Sequence, residues 1–361
     1  MYKNEKNEIR FDDDFNDELD SSIFTRKNIK KIYFGTYFDK PILPGVLPES
    51  VTHLYFDDDS DFDKKIIPNS LPSNLTHLTF GKYYDQEILP ESLPNKLTHL
   101  VFGYYFNKRL VPGILPRSIT HLTFGVKFNQ PLIAGVIPQG VSHLTFGIPG
   151  VSGMFNYPIA FLPDSIRHLS FGRDFNQSLE NLPYSIEYLH LGYNFNQVIN
   201  HGELPNFLRK LILSTKFNYP ISNEILPEYL DDLLFGDDFN QPINISNSKI
   251  TYLQFGSNFN KEIKPFTLPK GLIYLFFGRH FNQPIHKNSL PNTINYLYFG
   301  YEFNQPIYFL PKNLNVLRFE KKYNYKINQK YKTSSFHMLF MENQQYNVDE
   351  IFEEPYQCIS Q

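Results

Sequence analysis

The pattern of hydrophobic and polar positions repeats along the chain with a period near 22 residues. Each unit contains a short alternation in which apolar residues are separated by polar or small ones, as in Leu97-Thr-His-Leu100-Val-Phe102-Gly103. This period of two predicts a strand with one buried face. The buried residue that ends the alternation, called the marker below, recurs at fifteen positions: Phe11, Phe34, Phe56, Phe80, Phe102, Phe124, Phe146, Phe171, Leu191, Leu213, Phe235, Phe255, Phe277, Phe299 and Phe319.

Two further elements have a nearly fixed place in every unit. An aromatic residue followed by Asn or Asp usually comes four residues after the marker, as in Phe281-Asn282, and Leu-Pro or Ile-Pro usually precedes the next marker. Extra residues between marker and aromatic occur only in the stretches 57–61 and 148–154. Both insertions therefore fall in the same loop of the repeat.

The repeat predicts a β-rich solenoid. One strand per unit, in copies that all run the same way, gives a single long parallel sheet, which we place on the concave side. The return path is too short and too rich in Pro for an ordinary helix, so we expect an extended convex side and little helix. A β-helix with three strands per coil is the alternative, but strand patterning is clear on only one side.

The string Leu-Pro-x-x-Leu-x-x-Leu-x-Phe-Gly-x-x-Phe-Asn-Gln-Pro-Ile is nearly complete at Leu115–Leu132 and Leu290–Ile307. It resembles the FNIP repeat, which is similar to leucine-rich repeats and is known chiefly from social-amoeba and amoeba-infecting giant-virus proteins. The resemblance implies a right-handed coil and an interaction scaffold. Some members add an F-box or a kinase domain; because the repeats begin by Ile9 and no kinase signature occurs, we expect neither.

The repeats set the expected domain organisation. We expect residues 1–327 to form a solenoid of about fifteen units of 20–25 residues, with a polar first unit as N-terminal cap. Residues 328–361 are expected to form a C-terminal cap, around Phe336–Met341, and a partly disordered tail.

Composition follows from the repeat and narrows the possible functions. The 35 Phe and 26 Pro are mostly its core and corner residues. A net charge of −3 gives no field that would attract nucleic acid or an anionic membrane. A single cysteine, Cys358, and the lack of a long apolar run favour a cytoplasmic protein, in host-cell cytoplasm if it is viral. We find no catalytic constellation and expect no enzyme activity, cofactor or metal.

Histidine fills one row of the predicted concave face. Six histidines lie three residues before their markers: His53, His77, His99, His121, His143 and His168. A functional interpretation is a pH-sensitive or zinc-binding strip. The alternative, which we favour, is that duplication of one Thr-His-Leu unit copied a tolerated surface residue.

Aromatic residues occupy the same face farther along the chain. Together with the six histidines, the candidate partner-binding residues are Tyr252, Tyr274, Phe276, Tyr296 and Tyr298. An exposed aromatic patch is typical of protein-binding surfaces. Cross-strand packing that merely stiffens the sheet is the alternative interpretation.

The insertion at Asp57–Asp63 places carboxylates at alternate positions and resembles a calcium loop. Phe62 and Pro68 stand where such a loop needs Gly and Glu, so we expect a solvated acidic segment.

The sequence thus predicts a monomeric scaffold that binds a protein partner, whose identity it does not reveal. The alternative is a structural or self-assembling component, for example of a virus particle.

Overall fold

The computed structural model describes residues 2–5, 7–24, 28–321, 323–325 and 337–340, and for 2–5 and 337–340 it describes the backbone alone. One 3₁₀ helix, Ser21–Phe24, is the only helical element within those ranges. The strands are β1 Tyr2–Glu5, β2 Glu8–Phe11, β3 Lys31–Phe34, β4 His53–Phe56, β5 His77–Thr79, β6 His99–Val101, β7 His121–Phe124, β8 His143–Phe146, β9 His168–Ser170, β10 Tyr188–His190, β11 Lys210–Ile212, β12 Asp232–Leu234, β13 Tyr252–Gln254, β14 Tyr274–Phe276, β15 Tyr296–Phe299, β16 Val316–Phe319 and β17 His337–Phe340.

The strands form one sheet in which each pairs with the next along the chain. From β2 to β17 every pair is parallel and in register, so that equivalent repeat positions lie side by side. β1 pairs antiparallel with β2 at the N-terminal edge. The predicted β-solenoid is confirmed, and each described coil contributes one strand, which excludes the β-helix with three strands per coil.

The core contains two columns of aromatic rings beside columns of Leu, Ile and Val side chains. Within a coil the marker stacks on the aromatic of the Phe-Asn pair, as Phe102 does on Phe106 with centroids 3.9 Å apart. Between coils, markers stack as Phe102 does on Phe124, at 5.7 Å. Burial of each ring contributes roughly 2–3 kcal/mol. The repeated Phe residues and the aliphatic residues together supply the driving force for stacking coils.

A continuous ladder of Asn and Asp side chains joins the turns where the chain leaves the core. Each side-chain Oδ1 accepts a hydrogen bond from the backbone N–H of the equivalent residue one coil later, in thirteen consecutive bonds of 2.8–3.1 Å. The ladder runs through Asn16, Asp39, Asp63, Asp85, Asn107, Asn129, Asn156, Asn176, Asn196, Asn218, Asn240, Asn260, Asn282 and Asn304. Since the oxygen only accepts, Asp serves as well as Asn.

The side chain that follows a ladder residue often donates a hydrogen bond to the ladder residue of the preceding coil. Lys64 and Lys108 donate to the carboxylates of Asp39 and Asp85. Where the ladder residue is Asn, Gln of the next coil commonly donates to its Oδ1 instead, as Gln283 does to Asn260 at 3.1 Å. Asp39 and Asp85 thus each have a lysine partner, whereas Gln86 occupies the corresponding position beside Asp63.

Glycine follows most markers because adjacent coils approach closely there. A Cβ at Gly103 would lie 1.7 Å from the carbonyl oxygen of Gly81. No larger residue fits without separating the coils.

The parallel ladder of strands continues at the C-terminal end of the sheet. β17 extends the parallel ladder beyond residue 327, with Phe340 beside Phe319. The predicted tail, 342–361, lies outside the described residues, and the boundary at 327 stays a prediction. No described helix has the length and apolar character needed to cross a membrane.

Candidate functional site: the outer face of the sheet

Strands β2–β16 each present two residues away from the core, and these form the sheet face predicted above to be concave, called here the outer sheet face. Row 1 is the position three before the marker and row 2 the position one before it. The residue between them is buried, as Leu100 is between His99 and Val101. The in-register ladder aligns each row across the whole sheet, so side chains from different coils become neighbours.

The six predicted histidines lie in row 1 of β4–β9 and form one continuous stack. Successive rings have centroids 4.1–4.2 Å apart and planes within 7–12° of parallel. Each ring is half-buried between its neighbours. The stack ends where His168 meets Tyr188, with centroids 5.7 Å apart.

A hydroxyl group at the preceding residue holds five of the six rings. Each hydroxyl oxygen lies 2.8–2.9 Å from the Nδ1 of the adjacent histidine. The same hydroxyls donate to the main-chain carbonyl one coil earlier. This network assigns the imidazole proton to Nδ1 and leaves Nε2 as an acceptor. The hydroxyl residues are Thr52, Thr76, Thr98, Thr120 and Ser142.

The sequence analysis did not identify these hydroxyl residues. The sequence signal for this contact is the Thr or Ser that precedes His in five units. The interpretation given above treats it only as part of a copied Thr-His-Leu unit. His168 follows Arg167 instead, and its buried Nδ1 has no hydrogen-bond partner among the described residues.

The stack disfavours protonation. Burial lowers the pKa of all six histidines, and the pKa of His77 and of His143 falls to about 4, with neighbouring imidazoles adding to the effect. A charged ring would lose hydration and repel its neighbours. At neutral pH the row is therefore a strip of uncharged imidazoles.

Parallel stacking does not prearrange a zinc site. Two nitrogens that bind one tetrahedral zinc ion lie roughly 3.3 Å apart, and their lone pairs converge on that ion. Rings stacked at 4.1–4.2 Å with a common anchor direct their Nε2 lone pairs side by side. In the described part of the chain no three His, Cys, Asp or Glu side chains are grouped to hold a metal ion.

The aromatic candidates occupy rows 1 and 2 of β13–β15, but they do not stack like the histidines. Neighbouring rings are tilted by 30–39°, with centroids 5.2–6.4 Å apart. Hydrogen bonds fix three of the hydroxyls: Tyr252 donates to Gln254, Tyr298 donates to Glu320, and Tyr296 accepts from Arg318. Burial raises the pKa of Tyr252 and Tyr298, so both stay neutral.

The expectation of an exposed patch holds for Tyr274 alone: Phe276 is buried, and the other three tyrosines of the cluster are half-buried. The Phe276 side chain is only 8% exposed because the rings of Tyr252, Tyr296 and Tyr298 surround it. Tyr274 is 39% exposed. Phe276 is thus the centre of an aromatic cluster whose accessible surface comes from the tyrosines.

Charged residues separate the two halves of row 1. Lys210 and Asp232 lie side by side between the histidine stack and the tyrosines. Burial raises the pKa of Asp232, and Lys210 opposes that shift.

The acidic insertion after β4 lies off the outer sheet face, with Asp57, Asp58 and Asp59 exposed.

Among solved structures, the chain is similar to CroV588 from a giant virus, described as a novel circular LRR protein structure. The two share 39% identity with a TM-score of 0.78 over 87% of this chain, which spans about half the length of CroV588.

Two bacterial proteins also align with 87% of this chain. They are YopM from Yersinia enterocolitica, with 16% identity, a TM-score of 0.43 and 80% of its length covered, and a leucine-rich repeat protein from Bacteroides ovatus, with 11%, 0.20 and 84%. Both TM-scores are too low to support an argument. No curated protein matches the sequence.

The sequence profile described as FNIP Repeat matches most of the chain, at residues 15–59, 62–105, 106–148, 155–194, 175–216, 247–280 and 281–322. The motif, the ladder of its Asn residues and this match agree, and the chain belongs to the FNIP repeat family.

Proposed function

We propose that the chain is a non-enzymatic scaffold that binds a protein partner on the outer sheet face, within the cytoplasm. The observation that carries the proposal is the tyrosine surface around Phe276. There, the exposed ring of Tyr274 and three half-buried tyrosine rings lie on strands that are paired on both sides. LRR-like solenoids commonly present such faces to proteins.

Tyrosine suits this role because it offers a large contact area with few rotatable bonds. Tyr252, Tyr296 and Tyr298 are already hydrogen-bonded and packed, so little conformational entropy remains to be lost on binding. The near-neutral net charge favours a protein over nucleic acid or a membrane surface. The histidine stack extends the same face as an uncharged border.

Affinity capture tests the proposal. The full chain is used as bait in lysate from cells that produce it, beside a Tyr274→Ser/Tyr296→Ser variant and a control, Tyr184→Ser/Tyr229→Ser. The control tyrosines are 58% and 47% exposed and lie outside the outer sheet face. We expect a discrete partner that wild type and control retain and the first variant loses. Equal capture by all three proteins would overturn the outer-face assignment.

A second candidate is self-assembly into a larger solenoid. It is favoured by the likeness to CroV588, which is described as circular and of which this chain spans half. Sedimentation velocity distinguishes the two: the scaffold proposal expects a monomer, whereas assembly expects a mass that rises with concentration.

A further inference from the structure

The loop that follows each strand forms a second continuous surface, called here the loop edge. In most coils it contains three residues between the marker and the next core aromatic. Both insertions lie in this loop, in the coils of β4 and β8. Loops with variable length on an otherwise constant scaffold are where repeat proteins commonly bind.

Backbone hydrogen bonds hold successive loops together along this edge. The N–H of Lys82 donates to Asp58, that of Tyr105 to Lys82, and that of Lys127 to Tyr104, at 2.8–3.1 Å. Met154 continues the series by donating to Val126 at 2.8 Å. Each of these loops is therefore joined to the loop of the preceding coil by a backbone hydrogen bond.

Three tyrosines lie on the loop edge in the coils of β5 and β6. Tyr83 stacks on Tyr105 with centroids 5.3 Å apart, and Tyr104 meets Tyr105 edge-on at 4.9 Å. All three are 38–42% exposed although they contact one another. Their rings form one apolar surface across two adjacent coils.

The second insertion adds aliphatic side chains at one end. Ile148 and Ser152 form an antiparallel bridge, and the N–H of Gly150 donates to Phe171 in the next coil. This ordered turn leaves Ile148, Val151 and Met154 40–65% exposed. The turn thus holds three apolar side chains in solvent at the β8 end of the loop edge.

The first insertion adds negative charge at the other end. Asp57, Asp58, Asp59 and Asp61 are exposed beside Tyr83. Within the described residues, Asp59 alone of the four forms an ion pair, with Lys82 at 2.8 Å. Along the solenoid axis the surface therefore carries exposed carboxylates first, then the tyrosine rings, and then aliphatic side chains. The ammonium groups of Lys82 and Lys127 lie 5.5 and 5.9 Å from the ring centroids of Tyr83 and Tyr104.

The same loops in the C-terminal half differ. They carry polar side chains that contact one another: Lys216 forms an ion pair with Asp238 at 2.8 Å, and the Nδ1 of His280 lies 2.7 Å from a carboxylate oxygen of Glu302. The combination of apolar surface and uncompensated charge belongs to the coils of β4–β8.

We propose that the loop edge from Asp57 to Met154 is a second docking surface, for a polypeptide segment with basic side chains at one end and apolar side chains at the other. Acidic residues beside the tyrosines select the basic end by charge complementarity. Four coil spacings of about 4.8 Å give a surface about 19 Å long, which about six residues of extended chain would cover. The proposal concerns a surface different from the outer sheet face and does not depend on it.

Selection from a library of random 12-residue peptides displayed on phage, with the full chain as target, tests the proposal. Selected peptides are then synthesised and their dissociation constants measured by fluorescence anisotropy. We expect Lys or Arg followed by aliphatic or aromatic residues, and affinity that weakens as salt rises.

Three variants locate the binding. Tyr83→Ser/Tyr105→Ser and Ile148→Ser/Val151→Ser should each weaken binding at least tenfold, and Asp57→Asn/Asp58→Asn/Asp61→Asn about fivefold. Tyr184→Ser/Tyr229→Ser, the matched control, should change it less than twofold. The altered side chains are exposed, and unchanged circular dichroism spectra verify folding.

Failure of the library to enrich any peptide, enriched peptides without basic residues, or binding that survives the Tyr83/Tyr105 change would each overturn the proposal. Peptides lost only by Tyr274→Ser/Tyr296→Ser would overturn it too, while supporting the outer sheet face as the binding site.

Discussion

The histidine and tyrosine halves of the outer sheet face occupy the same repeat positions, yet their side chains pack differently. Imidazoles anchored by a hydroxyl stack face to face at 4.1–4.2 Å. Phenyl and phenol rings without that anchor tilt by 30–39° and interleave between rows 1 and 2. The comparison shows that the type of ring decides whether a row forms a closed stack or a tilted cluster, because His168 has no hydroxyl anchor and still stacks on His143 at 4.2 Å.

The two arrangements also differ in what disturbs them. The histidine stack depends on its rings being neutral, since protonation charges neighbours about 4 Å apart. The tyrosine cluster depends on Phe276 filling the space between three other rings. Acid should therefore weaken the first half, and truncation of one ring the second.

Acidification is expected to have the largest effect. The pKa of His77 and His143 is about 4 in the folded chain and near 6.5 when unfolded, so below pH 6.5 the unfolded chain binds more protons. Their contribution is complete above pH 6.5 and is lost as pH falls towards 4. After about half is discounted for solvent screening, the two contribute on the order of 3 kcal/mol. Urea unfolding between pH 7 and 4.5 measures it.

A matched pair of variants separates this effect from carboxylate titration. His77→Gln/His143→Gln should flatten the dependence of unfolding free energy on pH, whereas Val198→Gln, at an exposed position without a titratable group, should leave it unchanged. Equal slopes for wild type and the double variant would contradict the pKa assignment.

Truncating the centre of the tyrosine cluster comes next. Phe276→Ala should lower the free energy of unfolding by about 2–3 kcal/mol, the value of burying a Phe side chain. Tyr274→Ala, which removes a partly exposed ring, should cost clearly less. Similar costs for both variants in urea titrations would show that Phe276 is not the centre of the cluster.

The smallest effect concerns the histidine without an anchor. Arg167→Thr removes an ion pair with Glu187 and hydrogen bonds to the carbonyls of Asp164 and Ser185. It offers a hydroxyl to the Nδ1 of His168, which has no partner among the described residues. Arg167→Val removes the same interactions at nearly the same side-chain volume and offers no hydroxyl. We expect the first variant to be about 1 kcal/mol more stable than the second. The reverse order in urea titrations would argue against the hydroxyl as an anchor.

The fold could be predicted because every coil repeats the same physical solution. Phe at the marker, Phe before Asn and Gly after the marker report directly on ring stacking, the Asn ladder and the close approach of coils. The presence of Asp instead of Asn at position 85 could also be explained from the sequence, because the ladder needs only an oxygen that accepts a hydrogen bond.

The candidate surface was harder to predict, because single rows do not show how neighbouring rows interlock. Alternation places Phe276 on the outer face, yet its burial depends on rings from two adjacent strands. The pairing of Thr98 with His99 required knowing that the hydroxyl also reaches a carbonyl of the preceding coil.

The most direct test of the outer sheet face as the recognition surface is the dissociation constant of the captured partner for variants of its two halves at pH 7. Tyr274→Ser/Tyr296→Ser should raise that constant at least tenfold, and His99→Asn/His121→Asn less than about twofold. An unchanged constant for the tyrosine variant would contradict the account, because the exposed rings would then contribute nothing to binding.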